Sequence, residues 1–177
     1  MLNGVPNGWE KRKLGDFLTL KRGYDLPETR RVGGNFPVVS SSGITGYHNE
    51  KKADGPGIVT GRYGTLGEVH LIEGGYWPLN TALYVKDFKG NPVLFLLHLL
   101  ESQISGLQSD TAAVPGLNRN VLHALNVPTP PKTLCNQFDE FATVNYQQIG
   151  ILRLATKKLQ TVRDLLLPRL INGEITV

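Results

Sequence analysis

The residues best suited to metal or nucleophilic chemistry are scattered along this chain. His70, His98 and His123 lack the short spacing that brings two ligands to one ion, and Cys135 is the only cysteine. The sequence therefore predicts neither a metal site nor a disulfide bridge. Low cysteine usage is typical of the reducing cytoplasm, and no apolar run approaches the length of a membrane span.

Two patterns imitate catalytic motifs without meeting their chemical requirements. A magnesium nuclease needs clustered carboxylates and a lysine, for which Asp25 and the Glu-Lys-Lys run at 50–52 are the only candidates. An adenine methyltransferase needs Asn or Asp before Pro-Pro-aromatic, whereas residues 129–132 read Thr-Pro-Pro-Lys. They lack both the amide or carboxylate and the aromatic ring. We interpret the chain as non-enzymatic and as needing no cofactor.

Positive charge is concentrated in one early segment. The net charge is +4 and the pI is about 9.2, which favours an acidic partner such as nucleic acid. Between Lys11 and Arg31 there are seven basic side chains and three acids, so this segment carries the excess. Lys21 and Arg22, predicted on a loop after a short helix, suit phosphates, and Arg22 also suits a guanine edge. The alternative is solvated surface charge.

A polar stretch at 40–49 supplies further candidate contacts. It follows a predicted strand and is rich in short hydrogen-bonding side chains, with Tyr47 and His48 as the strongest candidates. Two interpretations are equally good. Either the stretch is a DNA-contacting loop, or it is a hairpin whose serines and glycines only satisfy turn geometry.

Another candidate lies at the end of a later predicted strand. Arg62 and Tyr63 stand beside glycines that let the backbone approach a partner closely, so Arg62 would read a base edge or clamp a phosphate. The alternative is a glycine-bent turn in which Arg62 pairs with Glu68. The full set of predicted DNA-binding residues is Lys21, Arg22, Tyr24, Ser41, Ser42, Thr45, Tyr47, His48, Lys51, Lys52, Arg62, Tyr63, Thr65 and Arg119.

Short apolar runs between glycines predict the elements that would position these residues. Strands are expected at 36–39, 57–60, 68–72 and 82–85. A helical turn is expected at 13–20, a helix from 91 or 92 to about 102, and a capped turn at 118–125. Prolines make residues 127–131 a stiff extended connector. The sequence thus predicts a mixed α/β domain, built on a small mixed sheet, over residues 1–131.

A long helix is predicted over residues 132–177. Only Gly150 and Pro168 disfavour it, and apolar side chains recur every seven residues. One small domain cannot bury so long a seam, so the pattern predicts a coiled coil between two chains. The alternative is the last amphipathic helix of a single globule. The predicted dimerisation residues are Phe138, Phe141, Asn145, Leu152, Leu159, Val162 and Leu166.

Several motifs, taken in order, resemble those of one protein family. They are the opening Pro-Asn-Gly-Trp at 6–9 with Leu14 and Asp16, the Arg-Tyr-Gly-Thr-Leu-Gly turn at 62–67, the exit stretch at 114–131, and the ending Leu-Ile-Asn-Gly-Glu-Ile at 170–175. Together they resemble one half of the specificity subunit of type I restriction-modification systems. Complete members carry two recognition domains and two spacer helices, whereas this chain has one of each.

The resemblance implies a function and a set of partners. The chain would read one half of a bipartite site in double-stranded DNA, and its helix would dock the modification (methyltransferase) subunits and the restriction subunit. It also favours antiparallel pairing of two helices in a homodimer. Two alternatives stay open. A stand-alone DNA-binding regulator would bind no methyltransferase, and a coiled-coil scaffold would show no salt-dependent DNA binding.

Overall fold

The structure, a computed structural model, describes residues 6–62, 68–110 and 116–175, with the side chains of the first α-helix described as far as residue 107. The strands in these ranges are β1 (Glu10–Lys13), β2 (Thr19–Arg22), β3 (Phe36–Ser40), β4 (Gly43–His48), β5 (Gly57–Gly61), β6 (Val69–Ile72), β7 (Trp77–Pro78), β8 (Ala82–Asp87) and β9 (Asn126–Thr129). The α-helices are α1 (Val93–Asp110), α2 (Arg119–Ala124) and α3 (Lys132–Ile171). Sheets, one of them mixed, followed by a long C-terminal helix confirm the predicted mixed α/β class.

The strands form two sheets and a two-stranded ribbon. Strands β2, β8, β5 and β6 lie side by side, in that order, in an antiparallel sheet. In the second sheet, β3 pairs antiparallel with β4 and parallel with β7. The ribbon of β1 and β9 ties the beginning of the described chain to the segment just before α3.

Both faces of the four-stranded sheet are covered, which explains why its central strand β5 is buried along its whole length. On one face, Val59 packs with Tyr84 of β8 and with Val39 of the second sheet. Successive side chains of a strand point to opposite faces, so Ile58 lies on the other side. There α1 contacts β5 and β6. A strand buried on both faces needs a continuous apolar run, which is the pattern that predicted β5.

The region from Lys13 to Arg22 corrects two sequence predictions. Only Leu14–Asp16 forms a helical turn, of the 3-10 type, whereas the pattern predicts one over 13–20. Lys13 pairs with Asn126 across the ribbon, and residues 19–22 pair with β8. The predicted loop position of Lys21 and Arg22 is therefore wrong, because both lie in a strand. Pairing with segments far along the chain overrides the local pattern here.

The predicted connector at 127–131 is a strand for most of its length. Val127 pairs with Arg12, and Pro128 pairs with Lys11. The predicted extended conformation is confirmed, and the pairing with β1 is an addition that the sequence did not predict. A two-stranded ribbon consists of two edge strands, where a proline that cannot donate a ladder hydrogen bond is tolerated.

Residues 40–48 form the turn and the second strand of a hairpin between β3 and β4, and a hairpin is one of the two structures that the sequence leaves open. The hydroxyl of Ser40 donates to the carbonyl of Gly43 at 3.2 Å and accepts from the backbone N–H of Ser42 at 3.2 Å. Gly43 has a φ of 93°, a conformation that favours glycine. These serines and this glycine therefore satisfy the geometry of the turn.

Helix α1 is longer than predicted and is capped by a residue far along the chain. It begins close to the predicted start and continues to Asp110 rather than ending near residue 102. The Asp139 Oδ1 accepts from the backbone N–H of Leu94 at 2.7 Å and from that of Phe95 at 3.2 Å. Asp139 thus satisfies two of the N–H groups that the first turn of a helix leaves without partners.

Helices α2 and α3 confirm their predictions. The side chain of Asn118 caps α2 by accepting from the N–H of Asn120 at 2.9 Å. Helix α3 continues through both Gly150 and Pro168. By its internal contacts the chain divides into two compact units, residues 1–139 and 140–177. The boundary after residue 131 stays a prediction. Across the described ranges, no helix is both long and apolar enough to cross a membrane.

Candidate nucleic-acid interface

Three arginines that are far apart in the sequence line one surface depression, which we call the arginine depression. Arg22 comes from β2, Arg62 follows β5, and Arg119 begins α2. The depression has a volume of about 420 Å³, and no carboxylate is among the described residues that line it. Its other described lining residues are Leu83, Gly116, Leu117 and Asn118. The structure thus brings together three of the DNA-binding residues predicted from the sequence.

Arg22 is held at the end of β2 by the neighbouring turn at residues 80–81. Its Nε donates to the backbone oxygen of Asn80 at 3.1 Å, which restricts the orientation of the guanidinium plane. The backbone of the next residue approaches this segment closely, since the N–H of Gly23 donates to the carbonyl of Ala82 at 3.1 Å. A Cβ at Gly23 would collide with the carbonyl oxygen of Leu79, so the close approach requires glycine.

The same turn and the loop before α2 hold Arg62. Its N–H donates to the carbonyl of Thr81 at 3.0 Å, and its carbonyl accepts from the N–H of Leu117 at 2.9 Å. These two backbone bonds fix the point at which the chain leaves β5. The Arg62 side chain therefore starts from a rigid position beside the loop that leads into α2 and Arg119.

Arg119 is positioned through His123, one turn later in α2. The His123 Nε2 accepts from the backbone N–H of Leu20 at 2.9 Å, beside the irregularity in β2 between residues 19 and 20. Burial lowers the pKa of His123, and the positive charges of Lys89 and Arg119 lower it further. Both effects favour the neutral ring, whose Nε2 can accept. His123 thereby fastens α2, with Arg119, to the strand that carries Arg22.

The turn at Asn80 and Thr81 is a part of the site that the sequence analysis missed. The two consecutive carbonyls support Arg22 and Arg62 respectively. The turn itself is braced, because the Asn80 Nδ2 donates to the Asp25 Oδ1 at 2.9 Å. An Asn-Thr pair between two apolar strands signals a turn, but nothing local indicates that the turn supports two arginines.

Lys21 and Tyr24 belong to a different cluster from Arg22. Lys21 pairs across the sheet with Tyr84, whereas Arg22 pairs with Leu83, so the two basic residues point to opposite faces. The Lys21 Nζ donates to the Tyr24 hydroxyl at 3.2 Å, and the hydroxyls of Tyr24 and Tyr84 lie 3.2 Å apart. The hydrogen bond with Tyr84, followed by that from Lys21, lowers the pKa of Tyr24, while burial raises that of Tyr84. Tyr24 is thus the more acidic of the pair.

The predicted DNA-binding residues of the β3–β4 hairpin differ in how exposed they are. Thr45 and Tyr47 are exposed on β4, and Tyr47 keeps 55% of its surface accessible. His48 is buried, with its Nδ1 accepting from the N–H of Val32 at 3.1 Å and its ring edge against Trp77. In the turn, Ser41 is half-buried and Ser42 is exposed. None of these residues lines the arginine depression.

Four predicted contacts remain, of which only the two lysines lie among the described residues. Lys51 pairs with Asp54 at 2.5 Å, and the Lys52 Nζ lies 4.8 Å from the centre of the Trp77 ring. Both lysines are exposed. The predicted contacts at Tyr63 and Thr65 lie outside the described residues.

The residues considered for metal or nucleophilic chemistry make other contacts or are buried. Asp25 accepts from Asn80, as described above. His98 bonds Glu101 at 2.8 Å, and Cys135 is buried. Over the ranges that the structure covers, no cluster of three His, Cys, Asp or Glu side chains could hold a metal ion.

The predicted seam of α3 presents apolar side chains to solvent. The exposed fraction of its apolar members runs from 39% at Phe138 to 71% at Phe141. The other exposed apolar members are Leu152, Leu159, Val162 and Leu166. Asn145 uses one amide hydrogen within its own helix, by donating to the carbonyl of Phe141 at 2.8 Å.

A match to a protein-family model identifies the family of this chain. The model of the type I restriction modification DNA specificity domain matches residues 6–137, which include all three arginines of the depression. The chain belongs to this family. The resemblance inferred from the order of the sequence motifs is thereby confirmed.

Two relatives of this chain are specificity subunits of type I restriction enzymes. The chain is 25% identical over 127 residues to the EcoprrI specificity subunit of Escherichia coli, covering 68% of this chain and 32% of that protein. It is 24% identical over 198 residues to the HindI specificity subunit of Haemophilus influenzae, covering 97% of this chain and 42% of the relative. The prediction of a specificity module rather than an enzyme is confirmed by these relatives. The chain spans less than half the length of each.

Solved structures show the same fold. The S subunit of a type I restriction-modification system from M. genitalium matches with a TM-score of 0.75 at 20% identity, over 91% of this chain and 45% of that chain. The HsdS subunit from Thermoanaerobacter tengcongensis matches with a TM-score of 0.59 at 16% identity, over 98% of this chain and 47% of the other. A chain from a study of complex assembly and conformational transition in the type I R-M system matches with a TM-score of 0.64 at 15% identity, over 94% and 46%.

Proposed function

We propose that this specificity domain is a non-catalytic DNA-recognition module of a type I restriction-modification complex, acting in the cytoplasm on one half of a bipartite target. The arginine depression carries the proposal. Three guanidinium groups from separate elements line one site, and guanidinium groups match the oxygens of phosphates and the edges of guanines. The specificity-subunit relatives support the same function.

Sequence-specific binding needs base contacts as well as phosphate contacts, because phosphates carry no direct sequence information. The exposed residues Thr45 and Tyr47 on the hairpin are our candidates for base readout, together with Ser41 and Ser42. The Thr45 hydroxyl also donates to the carbonyl of Val38 at 3.4 Å. Lys21, Tyr24, Lys51 and Lys52 remain proposed contacts. His48 is left out of the proposed surface because its ring is buried and bonded to Val32.

The exposed seam of α3 is proposed as the docking surface for other subunits. An exposed apolar stripe on a long helix is unfavourable in water and marks an interaction surface. We propose that two copies pair through this seam, antiparallel, as a coiled coil. The recognition domains would then lie about 50 Å apart, given the rise of 1.5 Å per residue over 138–171. Modification subunits and the restriction subunit would assemble on this dimer.

The test is selection of bound duplexes from a random pool by the full chain, alone and co-purified with modification subunits. The expected product is a pair of inverted half-sites separated by a spacer of constant length and variable sequence. Enrichment of a motif without any association with modification subunits would point instead to a stand-alone regulator. Absence of salt-dependent DNA binding in both preparations would leave a coiled-coil scaffold and overturn the proposal.

A further inference from the structure

The arginine depression is concave, and its shape restricts which part of a duplex can enter it. Arg22, Arg62 and Arg119 line it, with Leu83 and Leu117 among the other lining residues. Base edges lie recessed in the grooves of DNA, about 8.5 Å deep in the major groove, and are read by side chains that protrude. Phosphate groups protrude along the strand and carry the charge. A concave basic site is therefore complementary to a phosphate and not to a base edge.

The charges of the depression favour the same ligand. Arg22 and Arg119 bring like charges to one site beside Arg62, and like charges repel one another. The nearby carboxylate of Asp25 accepts from Asn80 and braces the turn. An anion placed among the guanidinium groups would convert the repulsion into attraction through charge-assisted hydrogen bonds.

The scaffold of the site is rigid, as a register-setting contact requires. Arg22 is fixed through its Nε to the carbonyl of Asn80, and the backbone of Arg62 is bonded to Thr81 and Leu117. The helix of Arg119 is fastened to β2 through His123. The bond from the Arg22 Nε leaves the terminal amino groups of Arg22 outside the supporting contact.

We infer that the arginine depression binds a single phosphodiester group of duplex DNA and sets the register of the domain on its target without reading a base. The inference rests on the proposed function and refines it. Arg62 is then a phosphate contact rather than a base-reading residue, one of the two roles that the sequence leaves open. Base readout is left to other surfaces of the domain.

Salt dependence tests the number of phosphates. For B-DNA the slope of log Kobs against log salt concentration changes by about 0.9 for each phosphate neutralised. The variant R22A/R62A/R119A should therefore lose about 0.9 from the slope, on the selected duplex and on a scrambled duplex alike. A loss of about 2.7 would mean three separate phosphates, and loss of binding confined to the selected duplex would mean base readout. Either result overturns the inference.

Matched variants keep the test interpretable. R22K/R62K/R119K retains the charges and should retain the slope, and Arg163→Ala removes an exposed arginine of α3 that pairs with Asp164 and should change nothing. If the triple alanine variant does not fold, as judged by its unfolding midpoint, Arg119→Ala alone replaces it. The single variant should then lower the affinity for both duplexes by the same factor.

Neutral backbone substitutions locate the phosphate. A single methylphosphonate is moved along each strand of the selected duplex, and one position per half-site should weaken wild-type binding without weakening that of the triple variant. Inorganic phosphate, compared with chloride at equal ionic strength, should raise the unfolding midpoint of the wild type more than that of the variant. Phosphate stabilisation without a sensitive backbone position would mean an anion site unrelated to DNA. Failure of the wild type to bind any duplex would instead refute the proposed function.

Discussion

Replacing Asp139 by alanine removes the cap of α1, whose first turn includes Leu94, 45 residues earlier in the chain. Asp139 lies on α3, yet its Oδ1 accepts from the N–H groups of Leu94 and Phe95 in the first turn of α1. In the variant both N–H groups lose their acceptor in a partly buried place. The helix also loses a negative charge near its N-terminus, where the helix dipole favours one.

The size of the effect follows from these contacts. Loss of a capping side chain costs about 0.5–2 kcal/mol, and loss of a charge at the N-terminus of a helix costs about 0.3–1 kcal/mol more. We therefore expect Asp139→Ala to lower the free energy of unfolding by about 2 kcal/mol. Asp139→Asn keeps an oxygen acceptor and loses only the charge, so its loss should be about 0.3–1 kcal/mol.

Urea unfolding of the full chain measures the difference. With an m-value of about 2 kcal/mol/M, the midpoint of Asp139→Ala should fall by about 1 M. Glu140→Ala is the matched control, because it removes the neighbouring acid, which is exposed. Its midpoint should stay within about 0.25 M of the wild type, as expected for a surface substitution. Equal midpoints for the two alanine variants would refute the capping role of Asp139.

Three further predictions follow from other contacts. The pKa of His123 lies below its ordinary value of 6.5, so the unfolded chain takes up the proton more readily than the folded chain. The stability of the fold should therefore fall as the pH drops below 6.5 and be unaffected above it. His123→Gln should reduce this acid sensitivity in thermal unfolding. Gly23→Ala should destabilise the domain by more than about 1 kcal/mol in urea, since the added methyl collides with a backbone oxygen, and an unchanged midpoint would contradict that packing. Leu152→Asp combined with Leu159→Asp should abolish the proposed dimer in sedimentation while leaving the recognition domain folded, and a wild type that stays monomeric at high concentration would rule the homodimer out.

Elements with a strong local signal were predicted correctly from the sequence. The buried run of β5, the Asn118 cap of α2 and the heptad pattern of α3 each depend on residues within a few positions of one another. Hydrophobic periodicity and capping chemistry are local properties. The sequence failed where the partner is distant, as for β1 with β9 and for β2 with β8.

The residues of the candidate site were predicted from the sequence, but their arrangement was not. Residue type and local sequence context selected Arg22, Arg62 and Arg119 as DNA contacts, because guanidinium chemistry is independent of the fold. Lys21 was selected for its charge in the basic segment, and His48 for its place in the polar stretch at 40–49. The structure points Lys21 to the opposite face of the sheet from Arg22 and buries the His48 ring against Trp77. The supporting turn at Asn80 was not predicted at all.

The sequence by itself determined the family, the mixed α/β class and the position of the long helix, because ordered motifs and local periodicity suffice for these. Only the tertiary structure decided that Arg22, Arg62 and Arg119 share one depression and that Lys21 does not. Strand alternation sends adjacent residues to opposite faces, and the register that fixes which face is which depends on pairing with β8, far along the chain.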